Sequence, residues 1–218
     1  MKAVYVKEFG GIENLEIREV ENPEKPKGTE VIVEVAAAGL NRADLLQRKG
    51  LYPAPKGYPQ NILGLEFAGE VIDVGENVTK VAVGERVFGI TAGGAQAEFL
   101  TIDESQLVKI PDSLSFAQAA AIPEAFITAH DAIFTQGNLQ SGETLLIHAV
   151  GSGVGLAALQ LAKAINVKVF GTSRTFEKLE KCKEFGLDEA IVVDSEPDFA
   201  DVVKSNGKGV DVILDLVG

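Results

Sequence analysis

The alternation of apolar and polar positions changes character part-way along the chain. Over residues 1–114 the apolar runs are short and rich in β-branched side chains, at 3–6, 15–20, 31–38, 70–74, 85–89 and 97–102. Such runs, bounded by turn residues, predict strands. The boundaries are Gly10-Gly11, Asn22-Pro23, Pro26-Lys27-Gly28, Gly75-Glu76-Asn77 and Gly93-Gly94. Many short strands separated by glycine-rich turns predict a small barrel or an open-ended sheet. A helical segment, Arg42–Arg48, interrupts them, with Asn41 as its N-cap and Gly50 as its stop.

From residue 115 the period changes. Ser115 precedes a predicted helix at 116–122, and another is predicted at 127–134. An apolar strand at 143–149 leads into the glycine run 150–155 and a helix at 156–165. Strand 167–171, helix 175–185, strand 190–193, helix 199–205 and a last strand within 210–218 follow. Strands that read as continuous apolar runs, alternating with helices, predict a parallel sheet covered on both faces. The expected architecture is therefore a mainly-β domain over residues 1–114 and an α/β domain over residues 115–218.

Composition narrows the function classes. At 218 residues, 46% hydrophobic and 24% charged, the chain has the make-up of a globular protein rather than a disordered one. Twenty basic residues against thirty-two acidic ones leave a net charge of −12, which repels phosphate backbones and anionic lipid surfaces. The first residues, MKAVYVKEFGG, lack the apolar core of a secretory signal. The longest weakly polar run, SFAQAAAIPEAFITAH, is interrupted by Pro123 and Glu124 and reads as buried helix rather than a membrane span. The single cysteine, Cys182, excludes an intrachain disulfide and a cysteine-built zinc site, and fits a cytoplasmic location. It lies in a charged helical stretch, LEKCKEFG, and reads as structural.

The glycine run carries the clearest chemistry. A glycine-rich turn between a buried strand and a helix brings backbone N–H groups and the positive helix end to a pyrophosphate. Here the residues are His148-Ala149-Val150-Gly151-Ser152-Gly153-Val154-Gly155. Counting back from Gly155, Val150 and Ser152 stand where the G-x-G-x-x-G fingerprint has glycine. The order strand, turn, helix, strand therefore carries the dinucleotide reading, against that of a glycine-rich turn that binds nothing. The end of the second strand selects the cofactor. It reads Gly171-Thr172-Ser173-Arg174-Thr175, with Ser173 where an acid would hold a ribose 2′-hydroxyl. Arg174 offers a forked donor for a 2′-phosphate and Lys178 follows one turn later, which favours NADPH over NADH. The competing reading makes Arg174 a solvated loop residue.

Four runs together, VAAAGLNRADLLQRKGLYP, NILGLEFAGEVIDVGENV, AAAIPEAFITAHDAI and LLIHAVGSGVGLAALQLAKA, resemble the zeta-crystallin-like quinone oxidoreductases of the medium-chain dehydrogenase/reductase superfamily. LNRADLLQR and AAAIPEAFITA are most like the tumour-suppressor-inducible quinone oxidoreductase branch. The resemblance implies a GroES-like catalytic domain followed by a Rossmann domain, with the active site in the cleft between them. It implies hydride transfer from NADPH to a quinone or another activated alkene or carbonyl. Zinc-containing relatives carry Cys where this chain has Asn41 and a His-Glu pair where it has Leu65-Glu66, so the resemblance is to the zinc-independent group.

The resemblance also assigns residues. It implies that Asn41 lies near the nicotinamide, that Tyr52 lines the quinone site, and that Thr128 lies near the nicotinamide and phosphates. Val150, Gly151, Ser152, Gly153, Val154, Gly155, Ser173, Arg174 and Lys178 match the cofactor cleft. Asp44 and Arg48 share the early helix in supporting roles, and His130 and His148 read as structural or cofactor-adjacent. Two positions depart from the family pattern, Leu46 and Asp194, where many relatives have tyrosine. A doubly wound domain has roughly six strands, but the pattern here ends after a fourth, so a C-terminally truncated chain is expected. The family implies a homodimer for a full-length version. The alternative is a non-catalytic NADPH-binding or crystallin-like structural protein.

Overall fold

The computed structural model describes residues 1–193, 199–205 and 209–218. The chain forms two compact units, Met1–Glu124 and Ala125–Gly218.

In the first unit, β1 (Lys2–Val6) and β2 (Leu15–Glu19) pair as an antiparallel hairpin. Then come β3 (Glu30–Ala38), α1 (Arg42–Arg48), β4 (Glu66–Val74), β5 (Arg86–Ile90), β6 (Phe99–Asp103), β7 (Leu107–Lys109) and α2 (Phe116–Ala119). An antiparallel five-stranded sheet runs in the order β6-β3-β4-β5-β7. Val31, Val33, Phe67, Val71, Val87, Leu100 and Ile102 form its core. β4 starts at Glu66, earlier than the predicted 70, because residues 66–69 are all buried and show no alternation. β7, only three residues long, was not predicted from the pattern.

The sequence reading assigned α2 to the second domain. In the structure α2 belongs to the first unit, because its small residues Ala119 and Ala120 close on Ala68 and Ile110.

Chain continuity passes through α3 (Pro123–His130), which is followed by a π-helical turn at Asp131–Gln136 where an ordinary helix was expected. The second unit then alternates β8 (Thr144–Ile147), α4 (Gly153–Ala164), β9 (Lys168–Ser173), α5 (Phe176–Lys183), β10 (Glu189–Val192), α6 (Phe199–Ser205) and β11 (Val212–Leu214). Its sheet is wholly parallel, in the order β10-β9-β8-β11. Numbered within the unit this is 3-2-1-4, the beginning of the doubly wound order, with the reversal beside β8.

Both faces of this sheet are covered, which explains the uninterrupted apolar strands. Leu145 and Ile147 face α4 and α5 through Ala157, Ala158, Leu159, Ala162, Leu179 and Cys182. Leu146 and Phe170 face the other way, against Ile191 and Val203. Cys182 is a buried core residue, and burial raises its thiol pKa.

Candidate functional site

The predicted strand 143–149 stops at Ile147, and His148 and Ala149 belong to the turn that follows. Ala149 has a φ of +53°, a left-handed conformation that costs an L-residue roughly 1–2 kcal/mol and cannot extend a strand. The turn is tied to β9. The Val150 N–H donates to the Thr172 carbonyl at 3.0 Å, and His148 Nδ1 lies 3.0 Å from Thr172 Oγ1. Ser152 is the N-cap of α4, its Oγ accepting from the Gly155 N–H at 3.1 Å.

The unusual glycine register has a structural explanation. Val150, in the first glycine position, is fully buried. Gly171 on β9 makes room for it, since a Cβ there would sit 2.6 Å from Val150 Cγ1. Gly155 provides the close approach of helix to strand, because an added Cβ would lie 2.7 Å from the carbonyl oxygens of Ala149 and Val150. Around the Cβ position of Gly153 there is open space to 4 Å. The first-turn N–H groups at Gly153 and Val154 belong to the set that a helix leaves without intrahelical partners. A positive helix end, open space and donors at the reversal of a parallel sheet make an anion-binding geometry.

The end of β9 adds positive charge. Ser173 is buried, and its Oγ accepts from the Thr175 N–H at 3.3 Å. Arg174 and Lys178 are exposed. The Lys178 stem runs beside the turn, its Cβ 3.3 Å from where a Gly151 Cβ would be. Val150 to Gly155 and Lys178 are thus brought together. Thr128 lies exposed on α3, and none of the hydrogen bonds among the described residues joins it to the turn. Asp194 lies outside the described residues.

The first unit contains a cavity of about 300 Å³ lined by Tyr52, Tyr58, Leu65, Thr91, Gln106 and Glu124, together with prolines of the 53–55 loop. Tyr52 is one of its lining residues; Asn41 is not, but connects to the cavity through hydrogen bonds. Its backbone N–H donates to Asp44 Oδ2 at 2.7 Å, closing the start of α1. Its side-chain Nδ2 donates to Glu66 Oε1 at 2.7 Å. The other oxygen of Glu66 accepts the Glu124 N–H at 2.9 Å. Glu66 is 3% exposed and Asp44 5%.

Three carboxyl groups therefore share one poorly solvated region, and among the described residues none of them forms an ion pair. Burial raises the Asp44 pKa, the Asn41 N–H opposes the rise and the charge of Glu66 adds to it. The Gly64 N–H also opposes the rise. Burial also raises the Glu124 pKa, with Glu66 and then Asp44 adding repulsion. The positive end of α3 favours the Glu124 anion, but these effects outweigh it. The sequence reading did not select Glu66, Glu124, Tyr58 or Gln106. The available signal was a lone acid in each of two apolar runs, GLEFAG and AIPEAF.

Comparison with known proteins agrees with both units. Residues 27–112 match the alcohol dehydrogenase GroES-like domain, and residues 153–218 match the zinc-binding dehydrogenase family. A quinone oxidoreductase of Pseudomonas aeruginosa is 40% identical over 219 residues, an alignment covering 100% of this chain and 66% of that protein. The crystal structure of the Pseudomonas syringae pv. Tomato DC3000 quinone oxidoreductase gives a TM-score of 0.89 at 39% identity, over 100% of this chain and 66% of that one. The chain belongs to the zeta-crystallin-like quinone oxidoreductase family. Within this family it is also 36% identical, over 212 residues, to the rat synaptic vesicle membrane protein VAT-1 homolog, covering 96% of this chain and 52% of that protein. The chain spans between about half and two thirds of the length of these relatives. Its first unit is the family's GroES-like domain and its second a four-stranded Rossmann sheet.

Proposed function

We propose that this quinone oxidoreductase relative binds NADPH on its second unit and reduces a quinone, or another activated alkene or carbonyl, without zinc. The observation that carries the reading is the capped turn Val150–Gly155 at the reversal of the parallel sheet, with the Lys178 stem beside it. In this reading the N–H groups of Gly153 and Val154 and the Ser152 hydroxyl hold the pyrophosphate. Arg174 and Lys178 take the 2′-phosphate, while Ser173 supplies no carboxylate to repel it. NADPH, when bound, supplies hydride. Asn41 and Thr128 are kept as nicotinamide-side residues, and Tyr52 as the ring that stacks on a flat acceptor.

The zinc-independent part rests on residue chemistry. Asn41 spends its amide N–H on Glu66, and Leu65 presents a buried hydrocarbon, where zinc relatives carry Cys and His. Cys182 is enclosed in the α4–α5 core. No helix among the described residues is long and apolar enough to cross a membrane. A cytoplasmic setting and a homodimer belong to the same proposal.

The test is calorimetric titration of the chain with NADPH and with NADH, followed by NADPH oxidation with 1,4-benzoquinone. Saturable binding that favours NADPH, with quinone-dependent oxidation, is expected. Gly153→Asp places a carboxylate in the open space of the turn and is expected to abolish binding. Binding without turnover selects the alternative, a non-catalytic NADPH-binding or crystallin-like protein. No binding to either nucleotide overturns both readings.

A further inference from the structure

We propose that Glu124 is the proton donor to the reduced acceptor in the cavity of the first unit. This inference rests on the reading that the cavity takes the acceptor. Glu124 is the one member of the Asp44–Glu66–Glu124 group that lines the cavity, beside Tyr52, Tyr58 and Gln106. Glu66 accepts hydrogen bonds at both oxygens, from the Asn41 amide and from the Glu124 N–H. Asp44 is enclosed under α1 and its Oδ2 is bonded to the Asn41 N–H. Glu124 alone of the three is half-buried, and it lines the cavity.

The surroundings prepare it for this work. Its backbone N–H donates to Glu66 Oε2, which ties Glu124 to β4. The charged groups facing it are Glu66 from β4 and Asp44 from α1, both acidic, and the titratable groups across the cavity are Tyr52 and Tyr58. Two carboxylates and partial burial favour a neutral carboxyl at this position, which is the form that donates a proton.

The step balances simply. A quinone that has accepted hydride, two electrons and one hydrogen nucleus, is a hydroquinone monoanion. The Glu124 O–H bond breaks, a new O–H bond forms on the anionic oxygen, and neutral hydroquinone leaves. The electron pair of the broken bond stays on the Glu124 carboxylate, which takes a proton back from water.

The test uses the full chain with 1,4-benzoquinone as acceptor, comparing wild type, Glu124→Gln and Glu124→Asp. Glu124→Gln is expected to lower kcat by about 100-fold, in the range for loss of a positioned acid, while NADPH affinity by calorimetry changes less than about twofold. In wild type, activity falls as pH rises through the raised Glu124 pKa; Glu124→Gln removes that alkaline limb and Glu124→Asp retains it. Independently of turnover, the carbon-13 carboxyl resonance of Glu124, assigned by its loss in Glu124→Gln, is expected to titrate above the ordinary glutamate value. An unchanged kcat and pH profile in Glu124→Gln, or an ordinary carboxyl titration, overturns the assignment of Glu124 alone. Absence of quinone turnover in wild type overturns the functional reading beneath it, and this inference with it.

Discussion

Replacing Gly155 by alanine adds one methyl group where α4 meets the end of β8. The new Cβ would stand 2.7 Å from the carbonyl oxygens of Ala149 and Val150, and 2.8 Å from Val150 Cα. Optimal contacts between non-bonded carbons are about 3.5–4.0 Å, so the first turn of α4 or the glycine turn must shift by most of an ångström. All three neighbours are backbone atoms, so no side chain can rotate aside. Overpacking of this kind costs about 1–3 kcal/mol, while alanine in a helix regains about 1 kcal/mol over glycine. The net expectation is a loss of up to about 2 kcal/mol, together with weaker NADPH binding, because the displaced turn carries the anion-binding N–H groups. Gly153→Ala is the internal control. It makes the same substitution in the same helix where nothing lies within 4 Å, and is expected to be neutral or to gain up to about 1 kcal/mol. Urea denaturation followed by circular dichroism, at equal slopes, gives both numbers. Equal midpoints for the two variants would refute the argument that close helix–strand contact builds this turn.

Three further predictions concern ionisation and burial. Hydrogen bonds from the Ser105 hydroxyl, the Thr29 hydroxyl and the Ser105 N–H hold the Asp103 carboxyl at a pKa of about 2, below the ordinary 3.8. A depressed folded value contributes stability above the unfolded pKa that is lost as pH falls, so Asp103→Ala is expected to flatten the acid side of the stability–pH curve between about pH 4 and 2. Asp44 has the opposite sign: its raised folded pKa contributes stability at low pH that is lost as pH rises through that value. Asp44→Asn keeps an acceptor for the Asn41 N–H and removes a charge beside Glu66, so thermal melts at pH 8 are expected to show the variant more stable than wild type. Cys182, 1% exposed and with a raised thiol pKa, is expected to resist iodoacetamide in the folded chain and to react fully in urea, as read by mass spectrometry.

How far the sequence could be read depended on how local each determinant is. β8, β9, α4 and α5 follow from short-range patterns, since buried parallel strands read as apolar runs and helices show a period of 3.6 residues. The glycine turn was legible for the same reason, being continuous in sequence, although its register was not. Only the packed pair Val150–Gly171 shows why valine can occupy a glycine position. Ala149 looked like the end of a strand because alanine carries no mark of a positive φ. Likewise, nothing local in DAIFTQ separates a π-helical turn from an ordinary one. α2 was assigned to the wrong unit because FAQA is a helix in any context, and only its neighbours Ala68 and Ile110 decide where it packs.

The cavity site lies at the other extreme. Asn41 and Glu66 are 25 residues apart, and Glu66 and Glu124 are 58 apart. The sequence by itself determined the two-part organisation, the strand–turn–helix that opens the Rossmann sheet, and a strongly acidic net charge, because periodicity, turn chemistry and net charge are local or additive. Only the tertiary structure decided that Asp44, Glu66 and Glu124 share one poorly solvated region beside two tyrosines. A carboxyl group's ionisation depends on the charges and solvent around it, and the crossing of α1, β4 and the start of α3 sets both.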